Sequence, residues 1–232
     1  MNRKAHTPAT TRLTLCVLAH LLRYPDAVLR EHAKELQYAL RTESALSKSR
    51  LAELERLIRR LVQLPAIQAE MDYVEVFDRG RTTSLHLFEH IHGDSRDRGP
   101  AMIDLIKTYE IAGLIFQSNE MPDYLPVALE FASTQPTPQA KAFLAEIAHI
   151  VRAIFSALEK RQSPYASVLA AVLELAGEQA QAVAIPDEVE LDESWSEPAV
   201  FGGCSTEGQS KPAQPQPIQI VRKTNTITGA RP

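Results

Sequence analysis

Glycine is missing from long stretches of this chain. None stands before Gly80, and none lies between Gly113 and Gly177. Gly costs roughly 1 kcal/mol in a helix interior, so long glycine-free blocks suit helices. Cysteine is nearly absent as well. Cys16 and Cys204 are the only two, and they form neither a CxxC motif nor a disulfide framework, which points to a reducing compartment. No apolar run approaches the roughly 18–20 residues of a membrane span, which argues against direct membrane insertion. Positive charge is not in excess: 25 Lys and Arg against 29 Asp and Glu leave a formal net charge of −4. That balance removes the electrostatic case for a nucleic-acid partner and for an anionic membrane surface. There is also no P-loop, no G-x-G-x-x-G and no G-x-S-x-G elbow, so nucleotide binding and serine hydrolysis lack their fingerprints.

What is present is helical periodicity. Leu29, Ala33, Leu36 and Leu40 fall on one helix face, as do Leu51, Leu54, Ile58 and Leu61. Phe143, Ile147, Ile150, Ile154 and Leu158 repeat the pattern, followed by Tyr165, Val168, Leu169, Val172, Leu173 and Ala176. These are amphipathic faces, and no run alternates as a strand would. Pro25, Pro65, Pro100, Pro122, Pro136, Pro138 and Pro164 each stand where a new helix can start, since Pro is tolerated in the first turn. The reading is all-α: a compact single-domain bundle of about nine helices over 11–185. They span roughly 11–23, 26–42, 47–63, 65–79, 83–92, 99–118, 122–133, 137–161 and 164–184.

The ends read differently. The N-terminus starts basic and turns apolar like a signal peptide, but His20 and Arg23 interrupt the run and no small-residue cleavage site follows. Thr10 or Thr11 fits a helix cap instead, and residues 1–10 are expected to be disordered. Residues 186–232 form an acidic stretch and then a Pro/Gln-rich one. Such a composition buries too little apolar surface to order itself, so a flexible tail is expected. Trp195, Val200 and Phe201 are exceptions: they could form a short docking motif or pack back on the body, and packing is the expectation because a buried aromatic is the commoner fate.

Three segments could carry chemistry. His86, Glu89 and His90 match H-x-x-E-H, a zinc-hydrolase motif in which two histidines on one helix face share a metal and the Glu acts as base. The bland alternative places Leu87, Phe88 and Ile91 toward the core with the histidines at its edge. His92 adds a third imidazole, and the group could form a pH-sensitive contact. The loop Gly93–Gly99 carries Arg96 and Arg98, with Arg79 and Arg81 upstream. These arginines could contact an anion or an acidic peptide, or simply pair with Asp94 and Asp97. Finally, Glu120–Pro126 suits a helix start or a polar lip beside an apolar groove.

The stretch from Asp72 to Leu105, DYVEVFDRGRTTSLHLFEHIHGDSRDRGPAMIDL, together with the turn Glu120, Pro122, Asp123, Tyr124, resembles the NarJ-type assembly chaperones of respiratory nitrate reductase. These belong with the TorD and DmsD types of redox-enzyme maturation chaperone. The resemblance covers roughly Leu13 to Ile185, and the phrase DESWSEPAVFG in the tail also looks like a family element. It implies a TorD-like helical fold, binding without turnover, and no catalytic residue, metal or cofactor of the chain's own. It implies that the partner is the apo catalytic (alpha) subunit of nitrate reductase, including its N-terminal peptide. That subunit is held in the cytoplasm, competent for molybdenum cofactor and iron–sulfur insertion before membrane docking. Molybdenum cofactor biosynthesis proteins are further candidate partners. Tyr73 and Phe77 would line the peptide groove, and Glu120, Asp123 and Tyr124 would form its other wall. His86, Phe88, Glu89 and His90 are further candidate contacts. Phe77, Phe88 and Tyr124 would anchor an apolar helix face, and Asp123 would meet basic residues of the partner. Tyr124 stands where many relatives have His, which leaves proton-linked roles of that His without a counterpart here.

Overall fold

The computed structural model describes residues 10–93, 95–116 and 120–184. Among them every regular element is helical. In order they are α1 (Arg12–Leu21), α2 (Ala27–Glu31), α3 (Ala33–Glu43), α4 (Lys48–Gln63), α5 (Ala66–Phe77), a single 3-10 turn at Arg81–Thr83, α6 (Leu87–His92), α7 (Arg98–Ile111), α8 (Leu125–Thr134), α9 (Thr137–Lys160) and α10 (Ala166–Ala176). No helix among the described residues is long and apolar enough to cross a membrane. The expectations for residues 1–9, for Asp94 and for the tail, including Trp195, Val200 and Phe201, lie outside the described residues.

The core forms where the apolar spacing puts it. Leu29, Ala33, Leu36 and Leu40 are all buried, as are Leu54, Ile58 and Leu61 of α4. Helix α10 is buried round its circumference, from Val168 through Leu173, which is the pattern of a central helix rather than a surface one. Its most extensive contact is with α9, and α1 packs chiefly on α8. Leu15, Leu18, Leu21 and Leu22 are fully buried in and just after α1.

Helix ends are set by side chains. The Asp26 carboxylate accepts the Leu29 N–H at 2.9 Å and starts α2, while the Ser47 hydroxyl accepts the Arg50 N–H at 3.4 Å and starts α4. The first N–H groups of α1 find their acceptor far away in sequence: Glu43 accepts from Leu13 at 3.1 Å and from Thr14 at 2.7 Å. The Arg30 guanidinium closes the end of α4, donating to the carbonyls of Leu61 at 2.6 Å and Leu64 at 2.8 Å. These bonds satisfy backbone groups that a helix leaves unpaired at its ends.

Several expected spans change. The helix expected over 83–92 begins only at Leu87, after an extended His86. The helix expected over 26–42 is two, broken at His32 (ψ 11°). The one expected over 99–118 stops at Ile111, ahead of Gly113 with φ +82°. The last helix ends at Ala176 rather than 184, because Gly177 turns left-handed at φ +85°.

Candidate functional site

Helix α5 puts Tyr73 and Phe77 one turn apart on its buried face, 5% and 6% exposed. Their rings lie 4.8 Å apart, and Phe77 meets Tyr165 edge-on at 5.0 Å. The Tyr73 hydroxyl donates to the Leu22 carbonyl at 2.9 Å. That carbonyl lies just past the end of α1, where helices leave acceptors unpaired. The Tyr124 hydroxyl joins the same point, 3.4 Å from the carbonyl and 3.3 Å from the Tyr73 hydroxyl. Burial pushes the Tyr73 hydroxyl far above the ordinary phenol range, and the Tyr124 hydroxyl beside it pushes the same way. Tyr24 stands edge-on to Tyr73 at 5.6 Å and is 46% exposed. The rings of Tyr24, Tyr73, Phe77 and Tyr124 form the floor of a cleft of about 720 Å³. Asp26, Asp78 and Glu120 place carboxylates along its lining.

The other wall is built by two segments that pair like a fragment of a sheet. His86 and Tyr124 form an isolated antiparallel bridge. The Leu87 N–H donates to the Asp123 carbonyl at 3.0 Å, and the Leu125 N–H to the Leu85 carbonyl at 2.8 Å. Asp123 is fully buried beneath this bridge. One carboxylate oxygen accepts the Phe88 N–H at 3.0 Å, at the start of α6, and lies 3.8 Å from the Arg98 guanidinium. The other lies 3.5 Å from His86 Nδ1, beyond ordinary hydrogen-bond reach, and neither of those two atoms has another hydrogen-bond partner. The Asp123 carboxylate facing it raises the His86 pKa above its ordinary value, against the lowering effect of burial. The His86 ring lies 5.3 Å from that of Tyr124. From the far side, the Tyr109 hydroxyl donates to the Pro122 carbonyl at 2.8 Å.

The residues singled out in the sequence fall into three groups. Tyr73, Phe77, His86, Glu120 and Tyr124 all line the cleft. Phe88, Glu89 and His90 do not. Phe88 is half-buried with its ring 5.7 Å from that of His92, Glu89 accepts from the Ser84 hydroxyl, and His90 Nε2 bonds the Ser84 carbonyl at 2.8 Å. Arg79 pairs with Glu75 one turn back at 2.9 Å, while Arg81 and Arg96 are exposed.

Three expectations are corrected. Asp123 does not offer a charge to a partner, because its carboxylate is fully buried between Phe88, Arg98 and His86. Arg98 is not an outward anion contact, since it turns toward Glu89 at 3.4 Å and toward Asp123. The metal motif fails on its own premise. It needs both histidines on one helix, yet His86 is extended (ψ 106°) and the helix begins at Leu87. No group of His, Cys, Asp and Glu among the described residues is arranged to hold a metal. Sequence reasoning missed Tyr24 and Asp26. Their signal was the Tyr24-Pro25-Asp26 helix start directly after the apolar face of α1.

Comparison with known proteins gives the family and the fold. The family model described as "Nitrate reductase delta subunit" matches residues 27–171. The nitrate reductase molybdenum cofactor assembly chaperone NarJ of Escherichia coli K12 is 42% identical over 164 residues, 71% of this chain and 70% of that one. NarW of the same organism, a nitrate reductase molybdenum cofactor assembly chaperone by name, is 37% identical over 179 residues, 77% of this chain and 74% of that one. Among solved structures, a redox enzyme maturation protein from Archaeoglobus fulgidus superposes with TM-score 0.52 at 17% identity, covering 76% of this chain and all of that one. That likeness shows the all-α maturation-protein fold. The curated relatives are assembly chaperones and not catalysts, and the chain belongs to their family, the nitrate reductase delta subunit family of NarJ-type maturation chaperones.

Proposed function

We propose that this chain is a cytoplasmic chaperone for the apo catalytic subunit of respiratory nitrate reductase. It takes that subunit's N-terminal peptide in the cleft between Tyr24, Tyr73 and Tyr124. Holding the subunit off its membrane anchor keeps it open for insertion of the molybdenum cofactor and iron–sulfur clusters. The observation that carries this reading is the cleft itself: an aromatic floor with Tyr24 half exposed, edged by the carboxylates of Asp26, Asp78 and Glu120. That combination fits an amphipathic helix whose apolar face meets the rings and whose basic residues meet the carboxylates. Tyr73 and Phe77 back the floor, while Tyr24 and Tyr124 make the contact. The names of the relatives, with their molybdenum cofactor assembly role, support the same partner.

The experiment is calorimetric titration of the full chain with the N-terminal peptide of the catalytic subunit. Tyr24→Ala removes an exposed ring and should weaken binding by roughly thirtyfold or more if Tyr24 is a hot spot worth about 2 kcal/mol. Absence of binding to both the peptide and the whole apo-subunit would end the proposal.

A further inference from the structure

Helix α7 carries apolar side chains on two faces. On its inner face Met102 and Tyr109 are buried. Tyr109 belongs to a small second core with Val127 and Phe131, against which Leu105, Leu114, Phe116 and Phe143 also pack. The outer face has no such cover. Ile103 is 55% exposed and Ile111 89%, and Ile115, just past the helix, is 81% exposed. Ile111 and Ile115 are the most exposed large apolar side chains among the described residues. A helix apolar on all sides is normally buried, and exposed apolar groups gathered on one face mark a contact surface.

The charges on this face say what covers it. Lys107 and Glu110 stand between Ile103 and Ile111, both exposed, and residues three apart lie on one side of a helix. Two copies of α7 laid antiparallel, with a two-fold axis between residues 108 and 109, bring Lys107 of each opposite Glu110 of the other. The same register sets Ile111 of one copy against the half-buried Ile106 of the other. Both charge pairs form together, because in a two-fold contact residue i meets j and j meets i. Registers centred on Lys107 or on Glu110 would set like charge against like. Lys107 also pairs with Asp104 at 2.9 Å on its own helix, but an exposed pair of this kind is worth little and does not hold Lys107 back.

We propose that the outer face of α7 pairs antiparallel with the same face of a second copy of this chain, through Ile103, Ile111 and two Lys107–Glu110 pairs. The contact is one short helix from each copy, which makes the dimer weak and exchanging rather than obligate. None of these residues lines the cleft, and the pairing does not depend on the reading given to it.

The test is sedimentation velocity of the full chain from roughly 1 μM to roughly 500 μM, the range in which small interfaces associate. The average sedimentation coefficient of the parent chain should rise with concentration. Ile111→Asp, Lys107→Glu and Glu110→Lys should each weaken association by about tenfold or more, the last two by facing like charges across the axis. An equimolar mixture of Lys107→Glu and Glu110→Lys should associate again, since each copy then offers the charge that the other lacks. The double variant Lys107→Glu/Glu110→Lys should associate with itself as the parent does. All three positions are exposed, so circular dichroism should show the parent's helix content in every variant. No concentration dependence in the parent, association that survives both single reversals, or no recovery in the mixture would each overturn the proposal.

Discussion

Asp123 is the residue whose removal tests the site's construction most directly. Its carboxylate is fully buried and holds the Phe88 N–H at 3.0 Å, with Arg98 at 3.8 Å and His86 at 3.5 Å. Replacement by Ala leaves one buried N–H unpaired and two donors facing an empty space. Breaking a buried charge pair by removing one partner costs about 3–5 kcal/mol. The side chains of Arg98 and His86 are 26% and 31% exposed, and Arg98 keeps Glu89 at 3.4 Å. Water and Glu89 therefore recover part of the loss, and Asp123→Ala should cost about 2–3 kcal/mol. Asp123→Asn keeps an oxygen for the Phe88 N–H but loses the charge and turns a donor toward other donors, so it should cost about 1–2 kcal/mol.

Urea denaturation followed by circular dichroism reads both values. A cost below about 0.5 kcal/mol for Asp123→Ala, the range of ordinary surface changes, would refute the reasoning. So would Asp123→Asn proving the worse of the two. A second readout separates this role from a charge offered to a partner. In a His86→Gln background, where the imidazole that lines the cleft no longer titrates, Asp123→Asn should leave the salt dependence of peptide binding unchanged, because the lost charge itself never faced the cleft.

Two further predictions follow from the same geometry. The folded-state pKa of His86 lies above its ordinary 6.5 because of Asp123, with Glu89 assisting and burial and Arg98 opposing. The folded chain thus holds this proton more tightly than the unfolded one. The stability it contributes is full below about pH 6.5 and fades as pH rises through the raised value. Urea midpoints from pH 5.5 to 8.5 should fall for the parent chain, and His86→Gln should flatten that slope. Separately, Arg30→Ala frees the carbonyls of Leu61, Val62 and Leu64 at the end of α4. It should cost about 1–3 kcal/mol, with Arg30→Lys recovering only part because an ammonium cannot match the guanidinium fork. Thermal melts of the two variants check the order.

The helical core was legible because periodicity reports burial locally. Leu54, Ile58 and Leu61 are buried where their spacing put them, and α10 reads as a continuous apolar run. The cleft was legible in part, through Tyr73, Phe77 and Tyr124 and the family resemblance attached to them. What left no local trace was long-range pairing. The bridge from His86 to Tyr124 joins segments far apart in the chain, and it overrides the helix that His86 to His90 suggests. Asp123 was misread for the same reason. A carboxylate in a Pro-Asp turn looks like a solvated helix start, and only the folded chain brings Phe88, Arg98 and His86 over it.

The crowding of three histidines between His86 and His92 now has a physical account, although each side chain acts separately. His86 spans the gap between the buried Asp123 and the exposed cleft, with its ring beside Tyr124. His90 folds back on the Ser84 carbonyl and holds the extended approach to α6. His92 packs edge-on against Phe88. The segment works as a clasp on the Met121–Leu125 turn, and that turn fixes where the Tyr124 hydroxyl reaches the Leu22 carbonyl beside Tyr73. The cleft floor therefore depends on the clasp, so a change at His90, which does not line the cleft, should loosen the position of Tyr124. An imidazole is well suited to His86's place because it is flat enough to stack on a tyrosine and basic enough to hold a proton beside a buried carboxylate. Neither role requires a metal.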